Sequence, residues 1–399
     1  MTMLPRIYSH VLENHFQDGP EMAFLAGPRQ VGKTTLARHF ETDPIYLNWD
    51  NENHRHLLLE GPDRVADHIG LRQSPLVIFD ELHKFPHWKT FLKGFYDTHA
   101  ADGAIKIIVT GSARLDIYRK GGDSLMGRYF LYRMHPLSVA ERLKHDPEKL
   151  PTRPPMELPE DEWQCLLSHG GFPQPFLRAD RRFYNRWKKS RISQLFREDI
   201  HDISRVREIR QVELLAEHII RQAGQLTSYA SLARKIRASQ DSIRRWTQTL
   251  ESLYFCFSVR PWHANLARSL RKEPKFYLWD WAMLNDPGAR HENLVASHLL
   301  KAVHFWNDSG LGEFSLFFLR TKEKREVDFL ITRDDSPWFL VEVKSSDAPL
   351  SPHLAYFQKA TNAPHAFQAQ IDAPFVQADC FSHTRPIKVP ARTLLSQLI

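Results

Sequence analysis

The chain predicts an α/β fold, and two patterns lead there. MAFLAG (22–27), PIYLNW (44–49), PLVIFD (75–80) and IKIIVTG (105–111) are short, bounded by turn residues and apolar nearly throughout. Buried parallel strands read this way, because helices cover both faces of their sheet. Residues 161–254 then turn helical, and strand-like runs return over 255–399 in SLFFLR, VDFLIT and WFLVEVK. The 399 residues correspond to about two to three domains at roughly 150 residues each.

Composition narrows the class. Hydrophobic residues make up 42% and charged ones 25%, which excludes a collagen-like, coiled-coil or wholly disordered chain. No apolar run approaches the ~18 residues that span a bilayer, and MTMLPRIYSHVLENHF lacks the charged-then-apolar order of a secretory signal. Cys165, Cys256 and Cys380 are too scattered for a disulfide framework or a metal knuckle. Pro86 separates His83 from His87, which argues against a shared helical ligand face, so no zinc site is expected. The expectation is a cytoplasmic protein with no membrane partner.

The first strand runs into GPRQVGKTT (27–35), which fits G-x-x-x-x-G-K-[ST] and opens a helix. Gly27, Pro28, Arg29, Gln30, Val31, Gly32, Lys33, Thr34 and Thr35 thus form a candidate phosphate loop whose N–H groups cradle phosphate oxygens. Lys33 reaches the β- and γ-phosphates, and the Thr34 hydroxyl ligates Mg²⁺. The expected cofactors are therefore ATP and Mg²⁺. PLVIFDELH ends its strand in Asp80 and Glu81, and an acid at that end points into the crevice where α/β ligands bind. Asp80 is expected to hold Mg²⁺ through its water shell, and Glu81 to polarise the attacking water. At the tip of the next strand Ser112, or failing it Thr110, is the candidate for sensing the γ-phosphate, unless both are turn residues. Arg128 is either an arginine finger toward a neighbouring subunit, which would make the protein a homo-oligomer, or a surface arginine.

The phosphate loop, DELHKFPHWKTFLKGFYD, VTGSAR, the GR at 127–128 and MHPLSVAER together resemble a prokaryotic AAA-type ATPase family. In that family the ATPase core is followed by a C-terminal domain of unknown function. GGFPQPF (170–176), GARHENLVASHL and the VDFLI…LVEVKSS segments are similar to it as well. The resemblance implies an ATP-binding protein of three-part layout and leaves its cellular role open.

Beyond residue 145 the reading rests on pattern and charge. DPEKLPTRPPMELPE (146–160) has five prolines and reads as a linker or excursion. Residues 178–275 hold 22 Lys and Arg against 10 Asp and Glu, which suggests either an anionic partner, DNA first, or a solvated helical surface. Three helices are expected over 212–254, the second capped by Thr227 or Ser228 and the third by Ser239. In the third, Ile243, Trp246, Leu250 and Leu253 share one face, leaving Arg244 and Arg245 on the surface. With FCFSVRPW as a following strand, this order matches a winged helix-turn-helix, whose third helix can enter the major groove. Such modules also serve as protein contacts or ATPase lids. The basic helix RRFYNRWKKSRISQLFRED (181–199) reads equally as a partner surface or as an apolar face carrying solvated arginines.

The last part carries a second constellation. Glu292 sits near the start of an expected helix, Asp328 lies in VDFLIT, and Glu342 and Lys344 lie two apart in FLVEVKSS, hence on one side of a strand. This resembles the PD-(D/E)xK nuclease core, with Val327 in place of the leading Pro. The resemblance implies that Asp328 and Glu342 bind Mg²⁺, helped by the Val343 carbonyl, while Lys344 serves the water and Glu292 completes the carboxylate set. The full expectation is an AAA-type core at 1–145, a linker and helical lid region at 146–210, a winged helix at 211–275 and a restriction-endonuclease-like α/β domain at 276–399. Its function is either an ATP-driven machine acting on DNA, with metal-dependent nuclease activity, or an ATP-dependent switch that docks a protein or DNA partner and has an inactive nuclease-like domain.

Overall fold

The structure, a computed structural model, describes residues 4–70, 72–111, 125–143, 150–200, 208–262 and 273–399. The chain forms two compact units, Met1–His135 with His145–Pro147, and Pro136–Lys144 with Glu148–Ile399.

In the first unit, β1 (Met22–Ala26), β2 (Ile45–Asn48), β3 (Leu76–Asp80), β4 (Lys106–Thr110) and β5 (Tyr129–Arg133) build a sheet of order β2-β3-β4-β1-β5. Every pairing in it is parallel, as the four apolar runs predict. β1 and β3 are buried along their whole length. Phe24, Phe79, Trp88, Phe91 and Phe95 pack into one cluster that binds the helix Trp88–His99 to the sheet. Because all strands run the same way, their carboxyl ends share one edge. The phosphate loop, Asp80 and Thr110 all leave from it.

The second unit holds β6 (Cys256–Pro261), β7 (Lys275–Leu278), β8 (Phe314–Arg320), β9 (Glu326–Arg333), β10 (Ser336–Lys344), β11 (His365–Gln370) and β12 (Ile387–Pro390), in the order β12-β11-β10-β9-β8-β6-β7. β8, β9 and β10 are an antiparallel meander, and the helix Pro352–Thr361 carries the chain across to β11, parallel to β10. The long helix Pro287–Asp308, capped by the Asp286 side chain, precedes the meander.

Upstream, helices Ile209–Arg221, Tyr229–Ile236 and Gln240–Ser252 lead into the antiparallel pair β6–β7. Ser228 and Ser239 accept from the N–H groups of Ser231 and Ser242, so of the two candidate caps for the second helix Ser228 is the one used.

One expected boundary is crossed by a strand. The boundary at 275/276 falls inside β7, and β6 pairs with β8, so the pair belongs to the sheet of the C-terminal region. The proline-rich stretch, read as a linker or excursion, is anchored by its polar groups. Arg153 is buried, its Nε donates to the Ser396 carbonyl at 3.0 Å, and its N–H bonds the Gln397 carbonyl at 2.9 Å. Prolines forbid regular structure, but the polar groups of the residues between them still need partners.

Candidate nucleotide site and a carboxylate cluster

At Gly27 the backbone takes φ +151°, and a Cβ there would lie 2.3 Å from the Met134 carbonyl oxygen. Gly32 takes φ +105° and hands over to the helix Lys33–Arg38. Both positions need glycine, the first for close approach and the second for the left-handed turn. The Lys33 ammonium is buried and donates to the Gly27 and Pro28 carbonyls, each at 2.8 Å. It therefore lies within the loop that its charge is expected to serve.

Asp80, at the tip of β3, gathers hydroxyl donors from three directions. Thr34 Oγ1 lies 3.2 Å from Oδ2, Tyr46 on β2 donates to the same oxygen at 2.5 Å, and Thr110 on β4 donates to Oδ1. The Thr34 hydroxyl and the Asp80 carboxylate are hard oxygen donors side by side, a set that suits Mg²⁺. Burial, then the Asp80 carboxylate, push the Tyr46 phenol up, so it stays a proton donor. Glu81 takes a left-handed φ of +55°, which turns its side chain out of the strand direction. Burial raises its carboxyl above the ordinary range, opposed by Lys84 and Lys33. Among the described residues its Oε2 has no hydrogen-bond partner, although His83 and Lys84 stand at 3.6 and 3.5 Å. A desolvated carboxyl with a vacant oxygen is equipped to take a proton.

Thr110 thus joins this group through Asp80, while Ser112 lies outside the described residues. Arg128 does not join it. It precedes β5 at the amino edge of the sheet, where its N–H groups grip Asp97 in a bidentate pair at 2.6 and 2.9 Å. Parallel strands put that edge opposite the phosphate loop, so Arg128 has no part in its own chain's crevice. Sequence reading missed Tyr46 and Arg6. The buried Arg6 guanidinium donates to the Val31 and His135 carbonyls, both at 2.6 Å, and so ties the phosphate loop to the chain after β5. Neither carries a local motif, since each acts through chain segments distant in sequence.

In the second unit the structure brings Glu292, Asp328, Glu342 and Lys344 to one place. Backbone pairing of β9 with β10 ends at Phe329–Val341, and beyond it the Val343 N–H is taken by Asp328 Oδ2 at 2.8 Å. Lys344 Nζ donates to Glu342 Oε1 at 2.9 Å. Glu292 accepts from the Tyr277 hydroxyl at 2.6 Å. Burial, then the charge of Asp328, push Glu292 and Glu342 each up to about 7, and burial raises Asp328 too.

A residue that sequence reading missed sits among them. Lys275 Nζ lies 2.6 Å from Glu326, 3.5 Å from Glu292 and 3.8 Å from Asp328. Burial works against its charge, but Glu292, Asp328 and Glu326 hold its proton more firmly than usual. Among the described residues no group of three or more His, Cys, Asp or Glu stands ready to hold a metal ion. Of the expected pair of metal ligands, Asp328 stands 3.8 Å from the Lys275 ammonium and Glu342 accepts from Lys344. Arg244 and Arg245 are exposed, with Arg244 stacked over the Tyr229 ring at 4.5 Å. No helix among the described residues is long and apolar enough to cross a membrane.

Residues 19–143 match the family model of an AAA domain. Residues 160–287 and 287–376 match two domains of unknown function, DUF8612 and DUF4143. An uncharacterized protein of Mycobacterium tuberculosis is 25% identical over 343 residues, spanning 82% of this chain and 71% of its own. Among solved structures, the Walker-type ATPase of Pyrococcus abyssi aligns at 17% identity and TM-score 0.43, covering 72% of this chain and 99% of that one. The Aeropyrum pernix ORC1 protein in complex with DNA aligns at 14% identity and TM-score 0.31, covering 75% and 94%. Residues 19–143, with their parallel sheet and phosphate loop, are thus similar to an AAA domain.

Proposed function

We propose that the protein is a Mg²⁺-dependent ATPase whose second unit acts on DNA. The observation that carries the first half is the convergence on Asp80 of Thr34 from the phosphate loop and Thr110 from β4, with the half-vacant Glu81 carboxyl next in the chain. Backbone N–H groups of residues 27–35 and the Lys33 ammonium bind the phosphates. Thr34 and Asp80 hold Mg²⁺, which supplies charge neutralisation on the phosphate oxygens. Glu81 takes the proton of the attacking water, and Tyr46 and Thr110 fix the Asp80 carboxylate through their hydroxyls. Lys33→Ala should abolish tight ATP binding, whereas Glu81→Gln should keep binding and stop turnover. Wild-type hydrolysis by Glu81→Gln would remove that residue from the reaction.

For the second unit we read residues 209–278 as a winged helix-turn-helix that presents Arg244 and Arg245 to DNA. The helix–meander–helix–strand order after residue 286 supports the resemblance to a restriction-endonuclease-like domain, with Asp328, Glu342, Lys344 and Glu292 as its site. The position of Lys275 favours a second reading, in which this unit binds DNA or a protein in response to ATP without cutting. Incubation with single-stranded, duplex and branched DNA, with Mg²⁺ or Mn²⁺ and with or without ATP, separates the two. Cutting that disappears with chelator and in Asp328→Asn supports nuclease action, and intact DNA throughout supports the switch.

A further inference from the structure

We propose that Lys275 is the resident cation of the carboxylate cluster, holding the place of a divalent metal ion, so that metal binds there only in exchange for its ammonium. The inference rests on the nuclease-like reading of the second unit and names what controls metal entry to it. The Lys275 side chain is 3% exposed, and its ammonium faces Glu292, Glu326 and Asp328 at once. Three carboxylates from a helix and a strand converge on one buried point charge, and with the ammonium in place they do not form a set ready to hold a metal ion.

The exchange would improve the electrostatics. Among the described residues, Glu292, Glu326, Asp328 and Glu342 meet two ammonium groups, Lys275 and Lys344, beyond the Arg320 partner of Glu326. Glu342 is nine-tenths buried, and among the described residues its Oε2 has no hydrogen-bond partner while Oε1 is held by Lys344. A buried oxygen left without a donor is costly, and a divalent ion offers it a ligand bond that neither lysine supplies.

The strand itself is fixed. Gly224 N–H bonds the Phe276 carbonyl at 2.9 Å, and Thr227 N–H bonds the Pro274 carbonyl at 2.9 Å. β7 is thereby pinned on both sides of Lys275, and the unbranched four-carbon side chain is the part free to swing.

The test is Mn²⁺ binding to the full chain without nucleotide or DNA, read from the loss of the free-ion electron paramagnetic resonance signal. Wild type, Lys275→Met, Lys275→Arg and Lys275→Met/Glu342→Gln are compared, so any Mn²⁺ held by the phosphate-loop region is common to all four. Lys275→Met should gain one Mn²⁺ site at least about tenfold tighter than any in wild type. Lys275→Arg should not gain it, and the double variant should lose it. Equal binding by wild type and Lys275→Met overturns the proposal. Thermal melts with and without Mn²⁺ cover the case of a poorly folded Lys275→Met. Recovery by Mn²⁺ supports exchange of metal for ammonium, and a melt that Mn²⁺ leaves unchanged overturns it. Neither ATP hydrolysis nor DNA cleavage enters the readout, so failure here is distinguishable from failure of either activity.

Discussion

Asp280 offers a quantitative check on the second unit. Its side chain is 1% exposed, and its Oδ2 accepts from the Tyr184 hydroxyl at 3.1 Å. Burial lifts its carboxyl to about 6 from the ordinary 3.8, against the opposing charge of Arg191. A carboxyl raised on folding binds its proton more tightly in the folded chain. Stability therefore falls as pH rises from about 4 through 6, and the penalty is complete above that window. The full difference corresponds to about 3 kcal/mol at pH 7 and well under 1 kcal/mol at pH 4. Asp280→Asn has no such proton. The stability of the variant relative to wild type should thus rise by about 2 kcal/mol between pH 4 and pH 7. Urea unfolding followed by tryptophan fluorescence at pH 4, 5, 6 and 7 measures this, since eight of the ten tryptophans lie in the second unit. A difference between the two proteins that stays constant with pH would refute the raised Asp280 carboxyl in the folded state.

Two other perturbations test the remaining sites. Gly27→Ala should cost about 2–4 kcal/mol in the first unit and abolish ATP binding, because its Cβ would meet the Met134 carbonyl at 2.3 Å on a backbone already at positive φ; a variant that binds ATP normally would show that the loop can widen without loss. Arg244→Ala with Arg245→Ala should reduce the slope of log affinity for duplex DNA against log salt by about two, one for each phosphate no longer neutralised, and an unchanged slope in a filter-binding or anisotropy titration would assign the helix Gln240–Ser252 to another role.

Local chemistry made a large part of this protein legible in its sequence. The apolar runs of the first unit could only be strands covered on both faces, and β1 to β4 lie within the segments that those runs mark. The spacing of Gly27, Gly32, Lys33 and Thr34 is a local constraint on backbone and charge, so the loop could be read without its neighbours. The same holds for Ser228 and Ser239 as caps, and for the buried face of Ile243, Trp246 and Leu250. Glu342 and Lys344 share a strand face because the period of a strand is two.

Tertiary structure decided what arrives from elsewhere. Tyr46 reaches Asp80 because β2 happens to lie beside β3, and Arg6 reaches Val31 across 25 residues. The sequence position of Arg128 gives no strand direction, and its carbonyl bonding to Met22 beside the parallel β1–β5 pairing puts it at the edge opposite its own chain's phosphate loop. Lys275 is the fullest case. Within FYLW and its basic flank it is one cation among many, and only the docking of β6 and β7 onto β8 sets its ammonium among Glu292, Glu326 and Asp328. Periodicity and motif spacing act over a few residues, whereas Coulomb interactions and burial act over ångströms in space, and the chain's path converts one distance into the other.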